Sequence, residues 1–240
     1  MKSKLIGAVI AILTVSYLSQ ADLLVSDDFS YPDGTLAGAD GGTDGTSAWT
    51  AAWTGNDTFT VSNGVATLTA SGVNTVTRNF SSVNSTVYFS FTVNVSGETD
   101  DNYNALFALN YGNYQVAAIG IGTNSVYANS TVFGTYTQGT THLIVGKLEF
   151  NADSTNERLT VWVDPASESD TAGTTLVYAA PYNQITRAKL QGTGITSGGV
   201  INFDDIILGT TFTDVIPEPS TVGLFIISST SLFVLRQFRK

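Results

Sequence analysis

The longest regular pattern in the chain is an alternation over residues 87–95. Val87, Phe89, Phe91, Val93 and Val95 fall on one face, and Tyr88, Ser90, Thr92 and Asn94 on the other. A period of two marks a half-buried strand of an antiparallel sheet, one face on the core and one toward water. Similar patterns predict strands over 61–70, 105–111, 114–121, 125–133, 142–150, 159–164 and 201–209, punctuated by Gly, Asn and Asp. No stretch between Asp22 and Ile216 carries an apolar stripe of helical period, and the longest polar gap, 33–47, holds five glycines. The clearest pair is a hairpin of 143–150 with 159–163, closed by Asp164-Pro165. It puts Ile144, Leu148 and Phe150 on one face and Leu159, Val161 and Val163 on one face, with Lys147, Glu149, Thr160 and Trp162 pointing the other way. Many strands without helices predict an all-β antiparallel sandwich of two packed sheets.

The two ends depart from this pattern. Lys2 and Lys4 precede a largely apolar run to Leu18, and Ser19-Gln20-Ala21 supplies small residues. That order is a secretory signal peptide over 1–21, cut by signal peptidase between Ala21 and Asp22. At the other end Pro217-Glu218-Pro219 forbids continuous helix or strand. The run 222–235 would rise about 21 Å as a helix, against roughly 30 Å of hydrocarbon. With Arg236, Arg239 and Lys240 after it, the segment reads as a marginal transmembrane helix whose basic end stays cytoplasmic. The sandwich is expected over 22–213 and the C-terminal signal over 214–240.

Composition narrows the functional classes. Charged residues are 12% of the chain, and cysteine is absent, which excludes disulfides and thiolate metal sites. Between Asp22 and Ile216 five basic residues (Arg78, Lys147, Arg158, Arg187, Lys189) face nineteen acidic ones, a net of −14. Such a surface repels phosphate backbones, so nucleic acid is not an expected partner. One histidine, His142, and no Gly-x-Ser-x-Gly elbow leave little to build a nucleophilic site. Glu149, Asp153 and Glu157 are spaced through a loop and read as a solvated hairpin tip rather than the paired carboxylates of a glycosidase. The expectation is a protein that is not an enzyme.

The closing residues, Pro217-Glu218-Pro219, the apolar run and the Arg/Lys cluster, resemble the PEP-CTERM sorting signal of exopolysaccharide-producing Gram-negative bacteria. The resemblance covers about the last two dozen residues. It implies an inner-membrane intermediate, recognition by an exosortase-type membrane enzyme, removal of the tail, and delivery to the envelope, surface or biofilm matrix. The body resembles the concanavalin-like jelly roll of laminin G and related lectin domains. The residues that carry this are Asp27-Asp28-Phe29 near the start, the 147–165 hairpin, and Asn202-Phe203-Asp204-Asp205-Ile206 near the end. Another β-sandwich or a β-solenoid is the alternative, although no repeat of fixed period is present.

Two kinds of site follow. The chain ends of a jelly roll commonly pair, so Asp27, Asp28, Asp204 and Asp205 are candidate ligands of a structural calcium ion, which takes oxygen ligands. Asp40, Asp44, Asp100, Asp101 and Asn102 form a weaker second set. Sugar-binding surfaces stack rings on aromatics, and the polar strand faces offer Tyr88 and Trp162 as a platform for exopolysaccharide. Trp49, Trp53, Tyr111, Tyr114 and Tyr136 stand in or near loops, with Trp49 and Trp53 expected to wedge an edge strand against the sandwich.

Overall fold

The computed structural model of the chain describes residues 22–41, 43–44, 48–97, 105–128, 131–151, 157–173, 176–178, 183–193 and 198–216. The elements are, in order, β1 (Leu23–Asp27), β2 (Gly34–Thr35), β3 (Thr43–Asp44), β4 (Thr54–Gly55), β5 (Phe59–Ser62), β6 (Val65–Leu68), β7 (Asn74–Val83), β8 (Val87–Ser96) and β9 (Ala105–Tyr111). There follow β10 (Tyr114–Ile121), β11 (Ser125–Ala128), β12 (Thr131–Thr135), β13 (His142–Glu149), β14 (Glu157–Val163), β15 (Leu176–Tyr178), β16 (Ile185–Gly192), β17 (Val200–Gly209) and the short helix α1 (Phe212–Val215). A ten-stranded sheet runs β15-β14-β13-β8-β17-β6-β5-β2, with β1 added along β17 and β3 along β1. A seven-stranded sheet runs β12-β11-β10-β9-β16-β7-β4. The expected all-β antiparallel sandwich is therefore the fold.

The inner faces are those the alternation marks. Val87, Phe89, Phe91, Val93 and Val95 of β8 are all buried, and Phe91 stacks on Phe107 of the other sheet at 4.6 Å, with Phe89 at 5.6 Å from the same ring. Each such burial stabilises by about 1.5–3 kcal/mol. Phe89 lies directly opposite Gly146, where an added Cβ would come 2.1 Å from the Phe89 ring; glycine is required there for the close approach, not for backbone freedom. The 143–163 hairpin has the expected register, Ile144 with Val163 and Leu148 with Leu159.

Three expectations are corrected. The run 61–70 is not one strand: Asn63 (φ 52°) and Gly64 (φ 77°) form a two-residue turn, and β5 folds back on β6. The run 125–133 is likewise two paired strands, β11 and β12. The chain also continues past residue 213 as packed structure, because α1 lies on the ten-stranded sheet and buries Phe212 and Val215. Asp214 holds its start by reaching back to accept from Thr210 N (2.9 Å) and Thr211 N (2.7 Å).

Candidate functional site

The first and last strands pair, as the sequence suggests, with Asp27 opposite Ile206. Asp27 nevertheless does not face Asp204 or Asp205 across an open site. Its carboxylate is buried and accepts from Phe29 N (3.0 Å), Tyr31 Oη (2.6 Å), Trp53 Nε1 (2.8 Å) and Arg78 Nη1 (2.7 Å). Arg78, from β7 in the other sheet, is itself 1% exposed. It donates also to Ala51 O (3.0 Å) and Asp40 (2.7 Å), and its guanidinium lies 4.5 Å from the Trp49 ring. The cluster is a pin between the sheets, and the expected wedge of Trp49 and Trp53 is part of it.

Asp28 is exposed and accepts from Ser30 N. Asp204 and Asp205 sit at a bulge of β17, where the strand leaves β6 and takes up β1, and Asp205 adopts φ 48°. Burial, joined by the charges of Asp205, Asp28 and Asp27, pushes the Asp204 carboxyl up to about 6. Burial and Asp28 push Asp205 up as well. Like charges are thus gathered, yet among the described residues no group of three or more His, Cys, Asp or Glu side chains is placed to hold a metal ion. In the second acidic set Asp40 is committed to Arg78, Asp44 falls in β3, and Asp100, Asp101 and Asn102 lie outside the described residues.

The aromatic platform is also corrected. Tyr88 and Trp162 point away from the main core as expected, but both are buried, in a second apolar cluster with Val145, Phe212 and Val215. The α1 ring of Phe212 meets them edge-on at 6.3 and 5.5 Å. Tyr88 Oη donates to Glu168 (2.6 Å) and Trp162 Nε1 to Asp170 O (3.3 Å), so neither ring is open to a sugar. Among the other aromatics Tyr136 is buried and Tyr114 is exposed.

What α1 leaves uncovered on this outer face is polar. A cleft of about 120 Å³ is lined by Val65, Thr92, Asn94, Thr141, Asn202, Phe203 and Asp204. Asn94 Nδ2 donates to Thr141 Oγ1 (3.3 Å), and Asn202 Oδ1 accepts from Thr67 Oγ1 (3.0 Å). Among the described residues neither amide makes a further side-chain hydrogen bond. Thr92 and Asn94 were visible in the sequence as outward positions of β8; what hid the cleft was that α1 covers only the Tyr88 and Ser90 end of the same strand, where Ser90 Oγ donates to Val215 O (2.6 Å).

His142 has structural partners at both ring nitrogens. Thr137 N donates to Nε2 (3.2 Å) and Nδ1 meets Asp164 Oδ2 at 2.6 Å. A nitrogen that accepts from a backbone N–H has no lone pair left for base catalysis. Glu149 pairs with Lys147 at 3.4 Å. Glu157 is 1% exposed rather than at a solvated tip, and Asp153 lies outside the described residues. So do Ala21, the Pro217-Glu218-Pro219 motif, and Arg236, Arg239 and Lys240, while Asp22 is exposed. Among the described residues no helix is long and apolar enough to cross a membrane.

No protein-family model and no curated protein matches the chain. Solved structures do. A sialidase is similar with a TM-score of 0.52 at 12% identity, over 68% of this chain and 17% of its own. The chain thus spans under a fifth of that protein. The carbohydrate recognition domain of Emp46p in its metal-free form has a TM-score of 0.46 at 11% identity, covering 69% of this chain and 89% of its own. Peanut lectin with a bound nine-residue peptide has 0.43 at 10%, covering 66% and 90%. At such identity the likeness concerns fold alone, and the fold is an antiparallel two-sheet β-sandwich.

Proposed function

We propose that the chain is an exported, surface-sorted β-sandwich that binds neutral polysaccharide through the Asn94, Asn202 and Thr92 cleft, without catalysis. The observation that supports this best is the cleft itself. Two amides and two hydroxyls stand at the surface of a rigid sheet, each amide fixed by one internal bond and offering the other end, the arrangement that reads sugar hydroxyls. The ends of the chain supply the address. Signal peptidase acts at Ala21 and Asp22, and an exosortase-type enzyme acts at Pro217-Glu218-Pro219, which follows Ile216, the last described residue. The product goes to the envelope or extracellular matrix.

A secreted carbohydrate-active enzyme is the second reading, favoured by Asp204, whose raised carboxyl in the cleft suits proton donation. Pull-down on neutral glucans combined with a reducing-end assay separates the two. Retention that Asn202→Ala and Asn94→Ala abolish, with no new reducing ends, supports the binder. New reducing ends lost in Asp204→Asn support the enzyme, and neither result refutes both. Mass spectrometry of matrix-associated protein tests the sorting: a terminus at Lys240 would refute processing.

A further inference from the structure

Of the five basic side chains in the body, three have carboxylates beside them. Arg78 has Asp27 and Asp40, Lys147 has Glu149, and Arg158 stands opposite Glu149 in register. Arg187 and Lys189, two apart on β16, form no ion pair among the described residues. In a body of net charge −14 that is an unusual economy. Ala188 and Leu190 enter the core, so by the strand period Arg187 and Lys189 both face outward from the seven-stranded sheet, the side opposite the cleft.

Their partners are neutral amides. Arg187 donates to Asn79 Oδ1 (2.7 Å) and Asn113 Oδ1 (3.2 Å), and Lys189 to Gln191 Oε1 (3.2 Å). Burial lowers the pKa of Lys189, as expected of an ammonium with no counter-charge. Opposite Arg187 in register is Asn110, 5% exposed, whose buried Oδ1 has no hydrogen-bond partner. Such an acceptor is costly to leave unmet and is filled by whatever donor arrives. The next row across the sheet is Lys189, Ala108 and Ala118, and both alanines are buried. The row after that puts Tyr127 beside Gly120.

We infer that this face binds an acidic polysaccharide in which uronic acids alternate with neutral sugars. Arg187 and Lys189 pair with the carboxylate, and as Arg187 turns onto it a sugar hydroxyl donates to Asn110 Oδ1. The ring extends across the sheet from Lys189 toward Tyr127. A polyphosphate fits worse, because two cations on a body of net charge −14 offset only a short length of so densely charged a chain. The site is separate from the cleft and does not depend on it.

Calorimetry at low salt with hyaluronan oligosaccharides, which alternate a uronic acid with a neutral sugar, tests this on the whole protein. Carboxyl-reduced hyaluronan is the matched neutral probe and an oligonucleotide the phosphate probe. Binding is expected to weaken about tenfold or more on carboxyl reduction and again in Arg187→Gln or Lys189→Gln. Asn202→Ala, on the other sheet, is expected to leave it unchanged while removing neutral-glucan retention. Equal affinity for native and reduced hyaluronan, unchanged affinity in both variants, equal binding of the oligonucleotide, or no heat at all would each overturn the inference. Thermal melts of both variants, expected to match the parent, keep misfolding from mimicking the loss.

Discussion

Replacing Arg78 by Met removes the positive member of the pin between the sheets and keeps most of the apolar stem in place. Asp27 would retain its bonds from Phe29 N, Tyr31 and Trp53 but lose its counter-charge, and Ala51 O would lose its donor. Both charged side chains are 0–1% exposed, so water does not make up the loss. Removing one partner of a buried pair costs about 3–5 kcal/mol, roughly a fifth or more of the stability of an ordinary domain. Urea unfolding should show this as a lower midpoint at unchanged slope. Asp27→Asn should be nearly as costly, since it leaves the guanidinium buried against a neutral amide. The double variant is the discriminating measurement. With both charges gone it should be more stable than the two single losses summed, by about 2–3 kcal/mol. Additive losses would refute the coupling, and an Arg78→Met loss below about 1 kcal/mol would refute the pin itself.

Asp204 gives a pH prediction. Because its folded pKa is raised to about 6, the native state holds the proton more tightly than the unfolded chain, so stability falls as pH rises from about 4 to 6 and is flat above. The full shift would amount to about 3 kcal/mol, reduced to about 1 by solvent screening at this half-buried site. Asp204→Asn should abolish that slope and stabilise the protein by about that much at pH 7; an unchanged pH profile in chemical denaturation would count against it. Phe212→Ala should undock α1, which is too short to persist alone, at a cost of about 3 kcal/mol. The fluorescence of Trp162 should shift red, and unchanged emission with an unchanged melting temperature would show that the helix is not held by these contacts.

The main core was legible because β8 puts apolar residues at every inward position and β13 and β14 at most of theirs, Gly146 and Glu157 being among the exceptions. β7 and β16 were not, and the reason is physical. The inward positions of β7 include Asn74 and Arg78, so the strand that carries the pin broke the very alternation that would have announced it. In β16 a bulge between Ile185 and Arg187 shifts the phase. The 61–70 run contains Asn63-Gly64, a strong hairpin signal that the continuing hydrophobic pattern masked. For the outer faces, alternation separates inward from outward but cannot tell which outward positions a later segment covers. Tyr88 and Asn94 look alike in β8, and only α1, 118 or more residues further on in the chain (212 − 94), buries one and leaves the other open. The pairing of β1 with β17 sets Asp27 opposite Ile206, but sequence could not show that Asp27 had a cation waiting across the sandwich.

The described strands that close the two sheets are very short. β2, β3 and β4 have two residues each, β15 three and β12 five. Longer strands such as β7, β8 and β17, with ten residues each, are paired on both sides. An exposed row of backbone donors and acceptors is what recruits a second chain and seeds fibrils, and these borders end before such a row can form. Mutual repulsion between bodies of charge −14 adds to that barrier. A β-rich chain with no disulfide to hold it can therefore remain a population of separate molecules rather than becoming an amyloid.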